Sequence, residues 1–143
     1  MAITQGQCGS FKAELLEAIH NFNVAGGDTF MMALYTGSAV MSPAATTAYT
    51  ATNECTGTNY TAGGIALVNA GVGLTSTTAF TSFNNATWAG VSISTAGALI
   101  YNASKANRAV ALFNFGNTYT VTNGTFSIQF PPNNSNTAVL ILS

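Results

Sequence analysis

The sequence predicts a mainly β protein, a single domain of antiparallel strands with one amphipathic helix near its N-terminus. Segments that alternate apolar and polar residues, or that are apolar throughout, fill most of the chain after Asp28. Only one segment has the apolar spacing of a helix. The length of 143 residues suits one domain, because a chain of this size buries roughly 68–70% of its unfolded surface in one core.

The predicted helix covers residues 10–22, and residues 1–9 precede it as an N-terminal arm. The apolar positions of this segment recur with helical spacing and form a single stripe. The stripe consists of Phe11, Leu15, Ala18, Ile19 and Phe22. Ser10 stands at the expected N-cap, and Gly26 with Gly27 closes the segment.

Strands are predicted by apolar or alternating segments after the helix. These segments are 29–36, 91–94, 97–101 and 108–115. The stretch "NASKANR" between the last two is expected to form a hairpin tip that carries Lys105 and Arg108. From Ser38 to about Gly64 the chain has no steady period, so we expect long loops there.

The last third of the chain alternates most clearly. Residues 118–122 and 125–130 are separated by Asn123-Gly124, which is the strongest short signal for a hairpin turn. Pro131-Pro132 ends the second of these segments, and residues 138–142 predict a final strand. One face of the predicted hairpin carries Tyr119, Val121, Phe126, Ile128 and Phe130.

Charge is scarce and unevenly distributed. Charged residues make up 5% of the chain against a usual ~25%, and the net charge is −1. Such a surface has no field to attract nucleic acid or an anionic membrane. No apolar run approaches the ~18 residues that cross a bilayer. The first residues lack the pattern of a secretory signal, so synthesis in a cytosol is expected.

The predicted helix holds half of the acidic, basic and imidazole side chains: Lys12, Glu14, Glu17 and His20. Strands can stay soluble by exposing Thr, Ser and Asn, whereas those residues are unfavourable inside a helix. A helix on the surface therefore takes Glu and Lys instead. We interpret the cluster as the solvated face of an amphipathic helix.

The side-chain inventory predicts neither an enzyme nor a cofactor or metal site. A hydrolytic triad or zinc site needs more than one His and two distant Cys. The i, i+3 pairs that Glu17 makes with His20 and with Glu14 are common on helix surfaces. "TAGGIALVNAGVGL" lacks both phosphate-loop spacings. Cys8 and Cys55 are expected to be unlinked thiols in a reducing cytosol.

Six stretches of the sequence resemble a family of small structural proteins of tailed bacteriophages and prophages. They are "FKAELLEAIHNF", "GGDTFMMALYTG", "NYTAGG", "ATWAG", "GALIYNASKANRAVALFNFG" and "FSIQFPP". The resemblance implies a head decoration, or cement, protein with a β-sandwich or jelly-roll fold. Such proteins sit as dimers or trimers on the outside of a capsid and stabilise its coat subunits. The expected location is the virion, after synthesis in the host cytoplasm.

The resemblance implies the major capsid protein as a partner but supplies no binding motif. We therefore take the charged residues of the helix and the hairpin as candidate contacts, with the N-terminal arm beside them. These residues are Lys12, Glu14, Glu17, His20, Lys105 and Arg108. For the last two, a solvated hairpin that discourages aggregation is the competing interpretation.

A tail or fibre component that binds a host surface glycan is the alternative function. Thr- and Asn-rich β modules with exposed Trp or Tyr rings can bind glycans by stacking the sugar on those rings. The candidate stacking residues are Trp88, Tyr49, Tyr60 and Tyr101.

Overall fold

The computed structural model describes residues 2–143, which form one helix and eight strands. In chain order these are β1 (Gly6–Gln7), α1 (Gly9–Leu16), β2 (Phe30–Tyr35), β3 (Ile65–Ala66), β4 (Asn69–Thr75), β5 (Thr78–Phe83), β6 (Ala86–Asn102), β7 (Arg108–Ile128) and β8 (Leu140–Leu142). The chain is mainly β, with two antiparallel sheets and one short helix in a single domain. This confirms the predicted fold class, while the jelly-roll arrangement stays a prediction.

Two sheets organise the molecule. The larger has the strand order β1-β7-β6-β2-β3, and the smaller has the order β4-β5-β8. The buried part of the larger sheet consists of β2 and the adjoining ends of β6 and β7 next to their turn, and in β2 the residues Met32, Ala33 and Leu34 have no exposed surface. An aromatic cluster links the sheets: Phe30 of β2 lies 5.6 Å from Phe83 of β5, measured between ring centroids.

A long hairpin of β6 and β7 dominates the larger sheet. Its turn, residues 103–107, confirms the predicted hairpin tip. Halfway along, Gly97 pairs with Asn114 and Thr95 pairs with Tyr119, so residues 115–118 bulge opposite Ala96 alone. Beyond this bulge, residues 86–95 and 119–128 form what we call the distal arm. The bulge separates the arm from the buried half of the hairpin.

The helix is shorter than predicted and begins one residue earlier. It starts at Gly9 after Cys8, so Ser10 is not the N-cap. It ends at Leu16 because Ala18 adopts a left-handed φ of 60°. The Ala18 and Ile19 amides then donate to the carbonyls of Leu15 and Glu14. These two bonds form a Schellman motif, which the sequence hides because Ala, not Gly, occupies the left-handed position.

The prediction of a hairpin turn at Asn123-Gly124 is wrong. β7 runs through both residues, and each flanking segment pairs with β6 instead of with the other. Asn123 has a φ of 46° and lies in a bulge, since Val91 pairs with Gly124 while Ile93 pairs with Val121. A bulge and a hairpin turn both favour Asn and Gly at positive φ, so local chemistry does not tell them apart.

The described part of the predicted arm is built into the domain. Ile3 is buried and forms a bridge with Met41, and Cys8 is fully buried. β1 pairs with β7 through Gly6 and Leu112. A Cβ on Gly97 would come within 2.4 Å of the Ile3 side chain, so Ile3 packs where only glycine leaves room. Residues 2–9 are therefore part of the fold rather than a free segment.

Candidate functional site

All but one of the acidic, basic and imidazole side chains lie at one end of the molecule, around α1 and the β6–β7 turn; the exception is Glu54. Glu14 of α1 is buried, and its two carboxylate oxygens accept from different partners. Oε1 lies 2.9 Å from His20 Nε2, and Oε2 lies 2.6 Å from an Arg108 guanidinium nitrogen. Because Arg108 is the first residue of β7, this carboxylate joins the helix to the hairpin.

His20 is the centre of this cluster. Its side chain has no exposed surface and lies among the rings of Phe11, Phe22 and Phe30, with centroid distances of 4.9 to 6.3 Å. Its Nδ1 atom lies 2.9 Å from Asn102 Nδ2. An amide nitrogen only donates, so Nδ1 accepts and Nε2 carries the proton that it donates to Glu14.

Asn102 is wholly buried and makes three hydrogen bonds. Its Nδ2 atom donates to His20 and to Asp28 Oδ2, the latter at 2.8 Å, and its Oδ1 accepts from the Ser104 amide at 3.0 Å. The amide orientation follows from these partners, since a flipped group would turn its oxygen toward the Asp28 carboxylate. Asn102 therefore links His20 to Asp28.

Lys105 closes the network from the hairpin turn. Its ammonium group lies 3.0 Å from Asp28 Oδ1 and donates to the Ile19 carbonyl at 3.1 Å. Asp28 also accepts the Asn21 amide. These bonds tie the segment between α1 and β2 to the turn. We call this end of the molecule, made of residues 9–28 and residues 102–108, the charged end.

Two carboxyl groups of the charged end have lowered pKa values. Burial alone would raise the pKa of Glu14, but hydrogen bonds from His20 and Arg108 and the charge of Arg108 outweigh it. The pKa of Asp28 is lowered in the same way, against burial, by bonds from Asn102, the Asn21 amide and Lys105. Both groups are therefore ionised in the fold at neutral pH.

The charge cluster of the helix segment is not a solvated face throughout, and that interpretation is wrong for two of its members. Glu14 and His20 are interior residues, because the Schellman turn after α1 folds His20 back toward the helix. Lys12 and Glu17 are exposed as expected. Of the six candidate contacts, these two are free on the surface, while the Lys105 and Arg108 side chains are 41% and 42% exposed.

A second polar cluster surrounds Glu54 in the long connection between β2 and β3. The buried carboxylate accepts from the Tyr49 hydroxyl at 2.6 Å, and from the Tyr60 hydroxyl and the Gly63 amide at 2.7 Å each. Burial and the bond to Glu54 raise the pKa of Tyr49, and burial raises that of Tyr60. Both phenols therefore stay neutral donors and fix this long loop.

The proposed stacking residues do not form an exposed aromatic platform. Trp88 is 3% exposed and packs against Phe126, and Tyr101 is 4% exposed and stacks on Tyr49. The Tyr49 and Tyr60 hydroxyls are occupied by Glu54. The structure thus gives these four rings core and loop-fixing roles, and the glycan alternative stays a prediction.

An apolar cleft of about 160 Å³ lies beside the charged end, between α1 and the smaller sheet. Phe11, Leu15 and Phe22 form one wall, and Phe80 with Leu140 contributes to the other. The sequence pattern does not reveal this cleft, because β5 and β8 meet α1 only in the folded chain.

Cys8 and Cys55 are free buried thiols, and burial raises the pKa of each to about 11. Among residues 2–143, no group of three or more His, Cys, Asp or Glu side chains is placed to hold a metal ion. The helix in this part of the chain is also not long and apolar enough to cross a membrane.

Comparisons of the chain with protein-family models, with curated proteins and with solved structures found no match. The function of the chain is therefore inferred from the geometry of the charged end and from the six sequence stretches quoted above. Asp28 and Asn102 were not among the predicted site residues. Their positions, just before a buried strand and just before a hairpin turn, are the only sequence signals that point to them.

Proposed function

We propose that this chain is a virion structural protein that binds the outer surface of an assembled capsid and stabilises contacts between neighbouring coat subunits. The supporting sequence observation is the resemblance of six stretches, spread over most of the chain, to head decoration proteins of tailed phages. The proposal assigns the protein no catalytic role. Its partners are the major capsid protein and further copies of itself.

The charged end is the observation that carries this proposal. It holds every Asp, Glu, Lys, Arg and His of the chain except Glu54. Glu14, His20 and Asn102 are buried and mutually bonded, so the surface above them is held in one geometry. A partner that docks there meets preorganised groups and has less conformational entropy to remove.

The exposed contacts in this proposal are Lys12 on α1 and Glu17 at its C-cap, with the partly exposed Lys105 and Arg108 beside them. Glu14 and His20 act as positioning residues beneath that surface. Exposed charges of both signs give register and specificity to a docking surface more than raw affinity. Docking by this end would therefore weaken as salt is added.

Binding only to the assembled state stabilises that state by mass action. Particles without this protein should therefore break at a lower temperature and under milder osmotic shock than complete particles. Adding the purified chain back to them should restore their resistance. Equal resistance with and without the chain would remove the stabilising role.

The charge-reversal variant K12E/E17K tests which end binds. Both side chains are exposed and neither belongs to an ion pair among the described residues, so the fold and net charge should not change. We expect weaker binding to particles that lack the native chain. The control T75E/T77K places the same two charges on the exposed β4–β5 turn and should bind normally. Undiminished binding of K12E/E17K would exclude the α1 side of the charged end as the contact.

A further inference from the structure

The outer edge of β7 in the distal arm is an unpaired strand edge. On one side, β7 pairs with β6 along the whole arm. On the other side, β1 reaches only Ala111 and Leu112, and the Gln5 side chain accepts the Asn114 amide. Within residues 2–143, no strand pairs with the outer side of residues 115–128. Such an edge presents a row of free backbone donors and acceptors.

This edge lacks the usual charged protection against pairing. Natural edges commonly carry Lys or another charge that blocks a second strand. From residue 109 to residue 143 the sequence contains no Asp, Glu, Lys, Arg or His. A strand that approaches this edge therefore meets no charged side chain. If that strand is equally neutral, pairing leaves no charge without a partner.

Beside the edge lies an apolar groove of about 410 Å³. Phe115, Tyr119, Phe126 and Ile128 line it, and Tyr119 is 48% exposed. The Phe115 ring centroid lies 6.0 Å from that of Phe126 and 6.3 Å from that of Tyr119. Aromatic residues without charges are typical of interface cores.

The bulges limit where a regular partner strand can pair. Asn123 interrupts β7, whereas residues 124–128 carry no extra residue of their own and contain Phe126 at their centre. The register shift opposite them, between Trp88 and Val91, has its extra residue on β6. An antiparallel pair of identical segments has two-fold symmetry, so one residue faces its own copy. A pair centred on Phe126 sets Thr125 opposite Ser127 and places the two grooves side by side.

We propose that a second copy of this chain pairs with residues 124–128 of β7, antiparallel, to form a two-fold dimer through the distal arm. The neutrality of the edge and the adjoining aromatic groove, both of which a second copy would match with its own, favour a second copy over a foreign strand. Backbone hydrogen bonds supply the pairing, and the joined grooves bury the exposed rings. This interface lies apart from the charged end and does not depend on the proposed virion role.

The variant pair T125K/S127K and T125E/S127E tests this interface. Both native residues are exposed, and the pairing sets each introduced lysine directly opposite another, which is destabilising. By sedimentation, the native chain should have twice the 14.6 kDa mass of one chain. Each variant alone should be monomeric, and an equimolar mixture should dimerise again because opposite charges then face each other.

The matched control T75K/T77K adds the same charges to the exposed β4–β5 turn and should remain a dimer. A native chain that is monomeric at its highest soluble concentration would overturn this inference. A native trimer would also overturn it, because two-fold edge pairing closes with two copies. Dimers that persist in T125K/S127K would place the interface elsewhere. None of these results would contradict capsid binding through the charged end.

Discussion

The charged end and the distal arm achieve order by opposite means. At the charged end, Glu14, His20 and Asn102 are buried polar groups whose donors and acceptors all meet protein partners. In the arm, the ladder between β6 and β7 holds exposed Thr, Ser and Asn side chains with no ion pair among them. Buried polar networks lose stability when any member is changed, whereas exposed strand positions tolerate change.

The largest effect should come from Asn102→Asp, a change of nearly equal shape. The introduced carboxyl would stand where Nδ2 now lies 2.8 Å from Asp28 Oδ2, and the donor to His20 would be lost. We expect the free energy of unfolding to fall by about 3–5 kcal/mol, as for a broken buried charge network. Urea denaturation measures this loss. A loss no larger than that of a surface variant would show that the network does not order this end.

Glu14→Gln should have the next largest effect. A Gln side chain replaces one of the two accepting oxygens by an NH2 group that only donates, so it cannot accept from His20 and Arg108 at both positions. We expect a loss of about 2–3 kcal/mol, since hydrogen bonds to charged groups are the stronger ones. The control Glu17→Gln at the exposed C-cap of α1 should change the free energy of unfolding by less than about 0.5 kcal/mol. Equal effects at the two positions would contradict the buried role of Glu14.

Acid should weaken the charged end. The pKa values of Glu14 and Asp28 lie below their ordinary values of 4.5 and 3.8. A lowered folded-state pKa contributes stability above the ordinary value, and this stability is lost as pH falls toward the folded-state pKa. Urea titrations between neutral pH and about pH 3 should show this decline. Asp28→Asn should reduce the dependence of the free energy of unfolding on pH in this range. An unchanged dependence would exclude Asp28 as a contributor.

The smallest effect is expected in the distal arm. Ser94 and Thr120 share a hydroxyl hydrogen bond of 2.9 Å on the exposed surface. Ser94→Ala should change the free energy of unfolding by less than about 0.5 kcal/mol. The single Trp88, buried in the same arm, reports this unfolding by fluorescence. A loss as large as that of Glu14→Gln would erase the contrast between the two regions.

The sequence predicts what depends on local pattern and fails where distant segments decide the outcome. The mainly β class, the strand at 29–36 and the hairpin tip at Lys105 and Arg108 follow from periodicity and are confirmed. The turn at Asn123-Gly124 is wrong, because pairing with β6 overrides the local turn preference.

At the candidate site, the sequence pattern groups Glu14 and His20 into a cluster but predicts that both are exposed, whereas both side chains are buried. Their burial depends on Asn102 and Arg108, which lie more than eighty residues away along the chain and come close only when the hairpin folds. The apolar spacing of the helix segment therefore cannot predict that Asn102 and Arg108 contact it. An early end to α1, set by Ala18 at positive φ, was also invisible in the apolar spacing.

The copy number of this chain in purified virions tests the central proposal most directly. Quantitative mass spectrometry against the major coat protein measures it. A capsid-binding protein that stabilises neighbouring coat subunits should be present at a ratio close to that of the coat protein. A few copies per particle, or none, would contradict the proposal.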